Sequence, residues 1–325
     1  MIERSVSEDG AGQRLDKFLR RLLADVPLSH LYKLLRTRQV RVNGRRAKGD
    51  LVLAEGDRVV VRGDPEALLA KRPEARPPPD SAAFRARILH EDELLLAWDK
   101  PSGVAVHPGS GIDEPTLVDL ARAYLPVAPD GEFQPSPAHR LDRETSGVVL
   151  VAKSRRAMVR LTEIFTEGLA EKRYIALAKG RLSHPEGTID LPLAEHEQSR
   201  ASKEARGVKL QAALTHYRTL AAGLQVTLLE CRIETGRTHQ IRRHLAAIGH
   251  PVVGDKRHGD FAFNRQIRAQ AGLRRMFLHA ASLSLPHPGT GRILRLRSPL
   301  PPDLAEPLAR LGVASPKDLH QADER

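Results

Sequence analysis

The chain has 325 residues, of which 41% are hydrophobic and 28% are charged, a composition that suits a small module beside a larger domain with a packed core. The formal net charge of +12 predicts a polyanionic partner, either RNA, DNA or an anionic membrane surface. No signal-peptide core is present, nor any apolar run of the roughly 18 residues that a membrane-spanning helix needs, so a soluble, cytoplasmic protein is expected.

Two amphipathic helices are predicted near the start of the chain. The first has an apolar stripe at helical spacing, made of Leu15, Phe18, Leu19 and Leu22. The second is expected to begin at Ser29 as its N-cap and to bury Leu31, Leu34 and Leu35. Lys33 and Arg36 would then lie on its outer side.

A β-hairpin is predicted directly after these helices. Val40 and Val42 alternate with arginine, and Asn43-Gly44 is typical of a tight hairpin turn. Further short strands are predicted at 51–53 and 58–62. The expected product is a helix-helix-hairpin module.

The chain has seven Lys or Arg residues and no acid between Asp25 and Asp50. Such a run is often only a solvated face. Here it spans a helix end and a hairpin, so Lys33, Arg36 and Arg41 would share one edge, as phosphate binding requires. Within residues 11–63, the segments GQRLDKFL, SHLYKLLR, VRVNG and EGDRV resemble the S4 RNA-binding domain. The resemblance implies an RNA-binding domain over residues 1–63.

A larger domain is predicted over residues 85–312, between a proline-rich linker at 64–84 and a polar tail at 313–325. Helical spacing occurs at 116–124 and 156–165. Strand-like apolar runs occur at 94–98, 104–106, 148–152, 174–178, 224–233, 277–285 and 293–296. This pattern predicts an α+β domain on a mixed, largely antiparallel sheet. Cys231, within one of the runs, is expected to be a core thiol rather than a nucleophile.

One polar cluster leads directly into the apolar run at 148–152, namely His139-Arg140-Leu141-Asp142-Arg143-Glu144-Thr145-Ser146-Gly147. It is either a functional loop at a strand edge or an ordinary turn built on Asp142. This nonapeptide resembles the signature of the pseudouridine synthase family that modifies ribosomal and transfer RNA. Three further segments match that family in order: DKPSG and VHP within 99–108, KRY at 172–174, and TGRTHQIR, GHP and GD within 235–255.

The resemblance implies isomerisation of uridine to pseudouridine, with no metal or organic cofactor. It implies that Asp142 is the catalytic carboxylate. Arg237 is expected to form the ion pair that orients this carboxylate, the alternative being a phosphate contact. Tyr174 is expected to stack on the uracil and to help remove the C5 proton, the alternative being a core aromatic.

Three further residues are expected to bind the substrate. A uridine stacked within RNA has to be flipped out, and Arg140 matches the family's arginine that fills the vacated position. Arg143 is expected to contact phosphate. Leu278 matches the aliphatic residue that packs against the target base, although an ordinary core leucine is the alternative.

Segments outside the site, including 107–111, 263–266 and 275–283, resemble the C-type branch that modifies 23S ribosomal RNA. The segment 256–259, Lys-Arg-His-Gly, departs from the family's more usual aromatic-Gly ending. A sister activity on another 23S helix or on tRNA is the alternative substrate. A non-catalytic ribosome-assembly factor is the alternative from another class. A monomer is expected, and no Cys or His cluster has the spacing of a zinc site.

Overall fold

The computed structural model describes residues 1–23, 26, 28–62, 81–109, 112–125, 133–194 and 210–314. The described residues form the helices α1 (Leu15–Leu22), α2 (Leu28–Arg36), α3 (Ser81–Arg85), α4 (Leu117–Tyr124), α5 (Arg155–Thr166), α6 (Gln240–Ala247), α7 (Phe261–Ala271) and α8 (Pro302–Arg310). They form the strands β1 (Ile2–Ser5), β2 (Val40–Val42), β3 (Arg45–Arg46), β4 (Arg58–Val61), β5 (Ile88–Glu91), β6 (Leu95–Lys100), β7 (Ser136–Pro137), β8 (Ser146–Ala152), β9 (Glu171–Lys179), β10 (Glu186–Asp190), β11 (Leu193–Ala194), β12 (Leu210–Gln211), β13 (Leu214–Ala222), β14 (Val226–Ile233), β15 (Leu278–Pro286) and β16 (Ile293–Arg297).

The first 62 residues form a small domain in which α1 and α2 share a core with a four-stranded antiparallel sheet. The strand order is β1-β4-β2-β3. Leu15 and Leu19 of α1 are fully buried, as the helical spacing predicts. The hairpin turn is confirmed, because Asn43 and Gly44 both have positive φ, 50° and 74°, as a two-residue turn of the favoured hand requires.

Three details of this small domain differ from the sequence prediction. Strand β1 was not predicted, because three of its four residues are exposed and it lacks an apolar alternation. The predicted strand at 51–53 makes only an isolated bridge between Arg14 and Val52. Helix α2 begins at Leu28, so Ser29 lies within the helix and is not its N-cap.

The larger domain is built on one mixed sheet, which confirms the predicted α+β class. The main path of strands is β10-β13-β14-β9-β15-β8-β6-β5, with β16 paired to β15 and β7 paired to β8. The pairs along this path are antiparallel except for β8 with β15, which are parallel. Strand β15 therefore lies between β8 and β9.

Helices cover both faces of this sheet. Side chains alternate between the two faces along each strand, so each face offers an apolar surface for helices to pack on. On one face, α4 and α6 pack through Leu117 and Leu245 onto a core that includes Tyr174. On the other face, α7 and α8 pack onto β9 and β14, while α5 packs onto β8. This arrangement leaves the pocket described below on the face that contains Tyr174.

The ends of the larger domain also differ from the prediction. Most of the proposed linker lies outside the described residues, but its last residues form α3, which packs on the sheet. The Phe84 ring stacks on Trp98 at 4.8 Å, and Trp98 Nε1 donates to the Phe84 carbonyl oxygen at 2.9 Å. The predicted strand at 104–106 is irregular. Val313, assigned to the polar tail, is buried in the core, whereas 315–325 lie outside the described residues.

The two domains touch at the start of α5. Oδ1 of Asp9 accepts a hydrogen bond of 2.9 Å from the backbone N–H of Arg155. Ser154 caps the same helix end through the Ala157 N–H at 3.1 Å. A carboxylate at a helix N-terminus is stabilised by the unpaired N–H groups there. In the part of the chain that is described, no helix combines the length and the apolar character that crossing a membrane requires.

Candidate active site

A pocket opens where the loop between β7 and β8 meets β9, β15 and the beginning of α6. Its lining consists of Arg140, Leu141, Asp142, Thr145, Tyr174, Ile233, Gly236, Arg237, Thr238, His239, Gln240, Ile241, Arg242 and Leu278. The sheet topology thus gathers side chains that are far apart in the sequence. We call the loop 138–145 the Asp142 loop.

The Asp142 loop ends in a tight turn that leads into β8. The N–H of Thr145 donates to the Asp142 carbonyl oxygen at 3.1 Å. Gly147, at the start of β8, has a φ of 114° and pairs with Ala280 of β15. A Cβ added at Gly147 would lie 2.1 Å from the Ala280 carbonyl oxygen, so any side chain would force the strands apart. The glycine therefore sets how closely the Asp142 loop approaches β15.

Arg242, in the first turn of α6, holds the Asp142 carboxylate. Its Nη1 donates to Asp142 Oδ2 at 2.8 Å. Its Nε and Nη2 form a two-pronged contact with Asp255, at 2.7 and 2.9 Å. Because the fork on Asp255 fixes the plane of the guanidinium, the direction of the donor toward Asp142 is also fixed.

Asp255 is a fully buried anchor for this arrangement. Its Oδ1 also accepts from the backbone N–H groups of Arg257 and His258, at 2.8 and 3.0 Å. Burial is the largest influence and would raise the pKa of Asp255, but these hydrogen bonds, led by that of Arg242, hold the pKa below its ordinary value. Asp255 therefore stays ionised and keeps Arg242 in place.

The predicted ion pair between Arg237 and Asp142 is wrong. Arg237 lines the pocket, but its Nε donates to the Ala212 carbonyl oxygen at 3.2 Å. Helix α6 begins only at Gln240, so Arg237 belongs to the loop before the helix, and the arginine in the first helical turn faces Asp142 instead.

Gln240 ties that loop to the sheet and was not predicted as a functional residue. Its side chain is buried and its Nε2 donates to Leu214 O at 2.8 Å and to Thr215 Oγ1 at 3.0 Å. Its Oε1 accepts from the hydroxyl of Thr235 at 2.6 Å and from the N–H of Arg237 at 3.1 Å. Every polar atom of this amide is therefore used to hold the pocket wall.

His239 lies between Arg237 and Arg242 at the wall of the pocket. Its Nε2 is 3.9 Å from Asp142 Oδ1, and its Nδ1 is 3.1 Å from Nε2 of His258. Its backbone is left-handed, with φ 55° and ψ 30°. That conformation is uncommon for a residue other than glycine.

Tyr174 and Leu278 come from adjacent strands and face the same pocket. Leu278 is paired with Ala176, two residues along β9 from Tyr174, so the two side chains share one face of the sheet. Both side chains are buried. Burial, followed by the charge of Asp142, raises the pKa of Tyr174, so its hydroxyl keeps its proton at neutral pH.

The other predicted substrate residues occupy different positions. Arg140 is exposed and lines the pocket. Arg143 points away from the lining, because its Nε donates to Gly103 O at 2.9 Å and its Nη2 lies 3.3 Å from Glu114. Lys33 and Arg36 are exposed on α2.

Arg41, on β2, is partly buried, and its Nη1 donates to the Gly44 carbonyl oxygen at 3.1 Å. The residues Lys33, Arg36 and Arg41 belong to the small domain and are not part of the pocket lining.

A buried lysine lies beneath the Asp142 loop. Nζ of Lys100 donates to the carbonyl oxygens of Pro101, Val104 and Arg143, at 3.0, 2.7 and 3.0 Å. Burial lowers its pKa to about 7, and the charge of Asp142 opposes that change. Lys100 thus fastens the segment 101–104 to the residue that follows Asp142.

The start of β8 is held by a second polar group. Arg275 forms a two-pronged contact with Asp303 of α8, at 2.6 and 2.9 Å, and its Nη2 donates to Ser146 Oγ at 3.1 Å. Ser146 Oγ is also 2.9 Å from Nδ1 of the buried His279. The last helix of the described chain therefore supports the Asp142 loop from behind.

Sequence reasoning missed Arg242, Asp255, Gln240 and Lys100, although all four lie within the family-like segments. The periodicity of the helix could have indicated Arg242, because a helix that begins at Gln240 has Arg242 in its first turn beside the buried Ile241. No comparable signal marked Asp255 as the partner. Among the described residues, no group of three or more His, Cys, Asp or Glu side chains is arranged to hold a metal ion.

The sequence of this chain matches two known families. Residues 94–247 match the family model described as RNA pseudouridylate synthase, and residues 13–59 match the S4 domain. The chain is 39% identical over 312 residues to "Ribosomal large subunit pseudouridine synthase C" of Escherichia coli (strain K12), covering 94% of this chain and 95% of that relative. The chain belongs to the RNA pseudouridylate synthase family.

Further members of the family are similar to this chain in sequence or in structure. The proteins of the same name from Salmonella typhimurium and Vibrio vulnificus are 40% and 39% identical, each over 91% of this chain and over 92% and 91% of their own length. The solved structure of "Human RNA Pseudouridylate Synthase Domain Containing 4" has a TM-score of 0.60 and 27% identity, covering 73% of this chain and 97% of that one. The enzyme is thus an RNA pseudouridine synthase with an S4 domain ahead of its catalytic domain.

Proposed function

We propose that this enzyme converts uridines of large-subunit ribosomal RNA to pseudouridine, with Asp142 as the catalytic carboxylate. The observation that carries the proposal is the fixed Asp142 carboxylate, held by Arg242 in a pocket that also contains Tyr174 and Leu278. The substrate class is supported by relatives named as large-subunit synthases, which align over both domains.

The chemistry requires a carboxylate close to the sugar. The N1–C1′ bond breaks with its electron pair leaving on the uracil, which makes C1′ electron-poor. Asp142 compensates that charge, and because Arg242 holds Oδ2, we assign the approach to the sugar to Oδ1. The uracil then turns, C5 bonds to C1′, a proton leaves C5 and another joins N1, so the reaction is a balanced isomerisation.

Tyr174 is assigned to holding the uracil. Its raised pKa means that it does not act as a phenolate base near neutral pH. Its ring and Leu278 instead provide two apolar surfaces that pack against the flipped base. The packing role is the one that this pocket supports, and a part for Tyr174 in removing the C5 proton stays an expectation.

The remaining basic residues are assigned to RNA contacts. Arg140, exposed at the pocket, is placed to enter the position that the flipped nucleotide leaves. Arg237 is assigned to a phosphate beside that nucleotide. The proposal also places the enzyme in the cytoplasm, because its relatives are named for ribosomal RNA, which bacteria keep there, and it takes the enzyme to act as a monomer.

Mapping of pseudouridines across 23S ribosomal RNA and tRNA tests this proposal. Cells that lack the gene would be complemented with wild type or with Asp142→Asn, which retains an oxygen for Arg242. We expect sites in 23S RNA that are lost on deletion and restored only by wild type. Loss confined to tRNA would overturn the substrate, and restoration by Asp142→Asn would overturn the role of Asp142.

A further inference from the structure

A pair of histidines lies against the catalytic carboxylate. The ring of His239 contacts Asp142 through Nε2 and contacts His258 through Nδ1, at 3.9 and 3.1 Å. The two imidazole rings are steeply inclined, at 66° with their centres 5.3 Å apart. The side chain of His239 is only 15% exposed, so this chain of contacts is largely shielded from water.

The protons of this pair are constrained by the contacts. A hydrogen bond between two ring nitrogens needs a proton on one of them and a lone pair on the other. A negative carboxylate 3.9 Å from His239 Nε2 favours an N–H there over a lone pair. In a neutral His239 ring, Nδ1 is then the acceptor, and the donor in the 3.1 Å contact is Nε2–H of His258.

We propose that His258 is a positioning residue that selects the tautomer of His239, so that His239 presents Nε2–H to Oδ1 of Asp142. Oδ1 is the oxygen that Arg242 does not hold. The inference rests on the proposed role of Asp142. It gives the two carboxylate oxygens different neighbours: Arg242 holds Oδ2 by a hydrogen bond, whereas the N–H of His239 faces Oδ1 from 3.9 Å and leaves that oxygen able to approach the sugar.

Two backbone features support a functional role for the contact between His239 and His258. His239 keeps a left-handed conformation, with φ 55°, that disfavours a side chain, and strain of this kind is concentrated at functional sites. The N–H of His258 is bound by Oδ1 of Asp255 at 3.0 Å. Asp255 is also the acid that orients Arg242. One buried carboxylate therefore orients Arg242 directly and holds the backbone of His258, the partner of His239.

The side chain at position 258 decides whether Nδ1 of His239 meets a hydrogen-bond donor. A phenyl ring at that position would offer no proton to Nδ1 of His239. A glutamine there would offer an amide N–H at a similar reach.

Nitrogen-15 NMR of the RNA-free protein tests the tautomer directly. We expect His239, assigned by comparison with His239→Gln, to carry its proton on Nε2 in the wild type and in His258→Gln. In His258→Phe we expect a mixture of tautomers. A wild-type His239 with its proton on Nδ1, or a His258→Phe protein with the wild-type tautomer, would overturn the proposal whatever the variants do in catalysis.

Single-turnover kinetics at saturating RNA provide the second readout. We expect His258→Phe to lower the rate roughly tenfold with unchanged RNA affinity, since a small misplacement of a reacting group costs rate rather than binding. His258→Gln should recover most of that loss. His184→Phe, at an exposed histidine outside the pocket lining, is the matched control and should match wild type.

A wild-type rate in a folded His258→Phe enzyme would also overturn the inference. If Asp142→Asn kept its turnover, the proposed function would fail while the NMR result on the tautomer stood, so the two failures are distinguishable.

Discussion

Nη1 of Arg242 lies 2.8 Å from Oδ2 of Asp142, although the two residues are 100 positions apart in the chain. The same guanidinium is forked on the buried Asp255. The position of the buried Asp255 carboxylate therefore determines, through Arg242, the orientation of the Asp142 carboxylate. A lysine has a single nitrogen and cannot serve both acids with this geometry.

We predict that Arg242→Lys lowers the single-turnover rate by about 100-fold or more, because the Asp142 carboxylate loses its fixed direction. The midpoint of thermal unfolding should fall as well, since the buried Asp255 loses its two-pronged partner. Turnover is measured as pseudouridine formed with enzyme in excess over RNA.

Arg237→Lys is the comparison for that experiment. Arg237 makes no ion pair with Asp142 in the structure, so its substitution should raise the RNA concentration needed for half-maximal rate more than it lowers the maximal rate. A collapse of the maximal rate in Arg237→Lys, with little loss in Arg242→Lys, would reverse the assignment of the two arginines.

The basic edge of the small domain should control RNA affinity. Replacing Lys33, Arg36 and Arg41 together with glutamine is expected to weaken binding and to flatten the plot of log affinity against log salt by about one unit per lost phosphate contact. The rate at saturating RNA should change little. The matched control replaces Arg292, Arg295 and Arg297, which are exposed in and beside β16. Equal slopes for both triple variants would show that the edge does not contact phosphate.

Lys100 should make stability depend on pH. Its pKa is about 7 in the folded protein against an ordinary value of 10.5, so between these values the unfolded chain binds more protons. The contribution of Lys100 to the free energy of unfolding therefore increases as pH rises from about 7 to about 10.5, by at most about 1.4 kcal/mol per pH unit.

Urea unfolding of wild type and Lys100→Met at pH 7 and pH 9.5 measures this contribution. The stability of wild type relative to Lys100→Met should be greater at the higher pH, because methionine cannot titrate. A difference that is constant with pH would mean that Lys100 does not release its proton in that range. Lys100→Met should also be the less stable protein, since three carbonyl oxygens lose their donor.

Cys231 should be chemically inert in the folded enzyme. The thiol is fully buried on β14, and burial raises its pKa to about 12, so the reactive thiolate is scarce at neutral pH. A thiol reagent at pH 8 should label it only after urea is added. Cys231→Ala should keep turnover within about twofold, because the side chain is core and supplies no chemistry. Rapid labelling of the native protein, or loss of turnover, would contradict this.

Local patterns predicted the elements better than the contacts between them. The stripe at Leu15, Phe18 and Leu19 predicts α1 because helical spacing follows directly from the chain. The segment 104–106 has the same apolar character as a strand but is irregular, because its backbone C=O groups accept hydrogen bonds from Lys100 and from the start of α4. Propensity does not reveal such competition.

In the active site too, individual residues were predicted from the sequence but their contacts were not. Asp142, Tyr174 and Leu278 were identified from motifs, and the structure brings all three to one pocket. The partner of Asp142 was misassigned because two arginines stand five residues apart in one motif, and only the start of α6 decides which one faces the carboxylate. Tertiary pairing across 100 residues leaves no local trace in the sequence.

The place of β15 between β8 and β9 has a consequence for how the enzyme is made. Of these three strands β15 is synthesised last, so until residue 286 has left the ribosome β8 and β9 each keep an edge without its final neighbour. Unpaired edges invite pairing with other chains, and late closure prolongs that hazard. The small domain is complete at residue 62 and does not wait for this strand. A message cut short before residue 278 should therefore yield an aggregation-prone RNA-binding fragment rather than a slower enzyme.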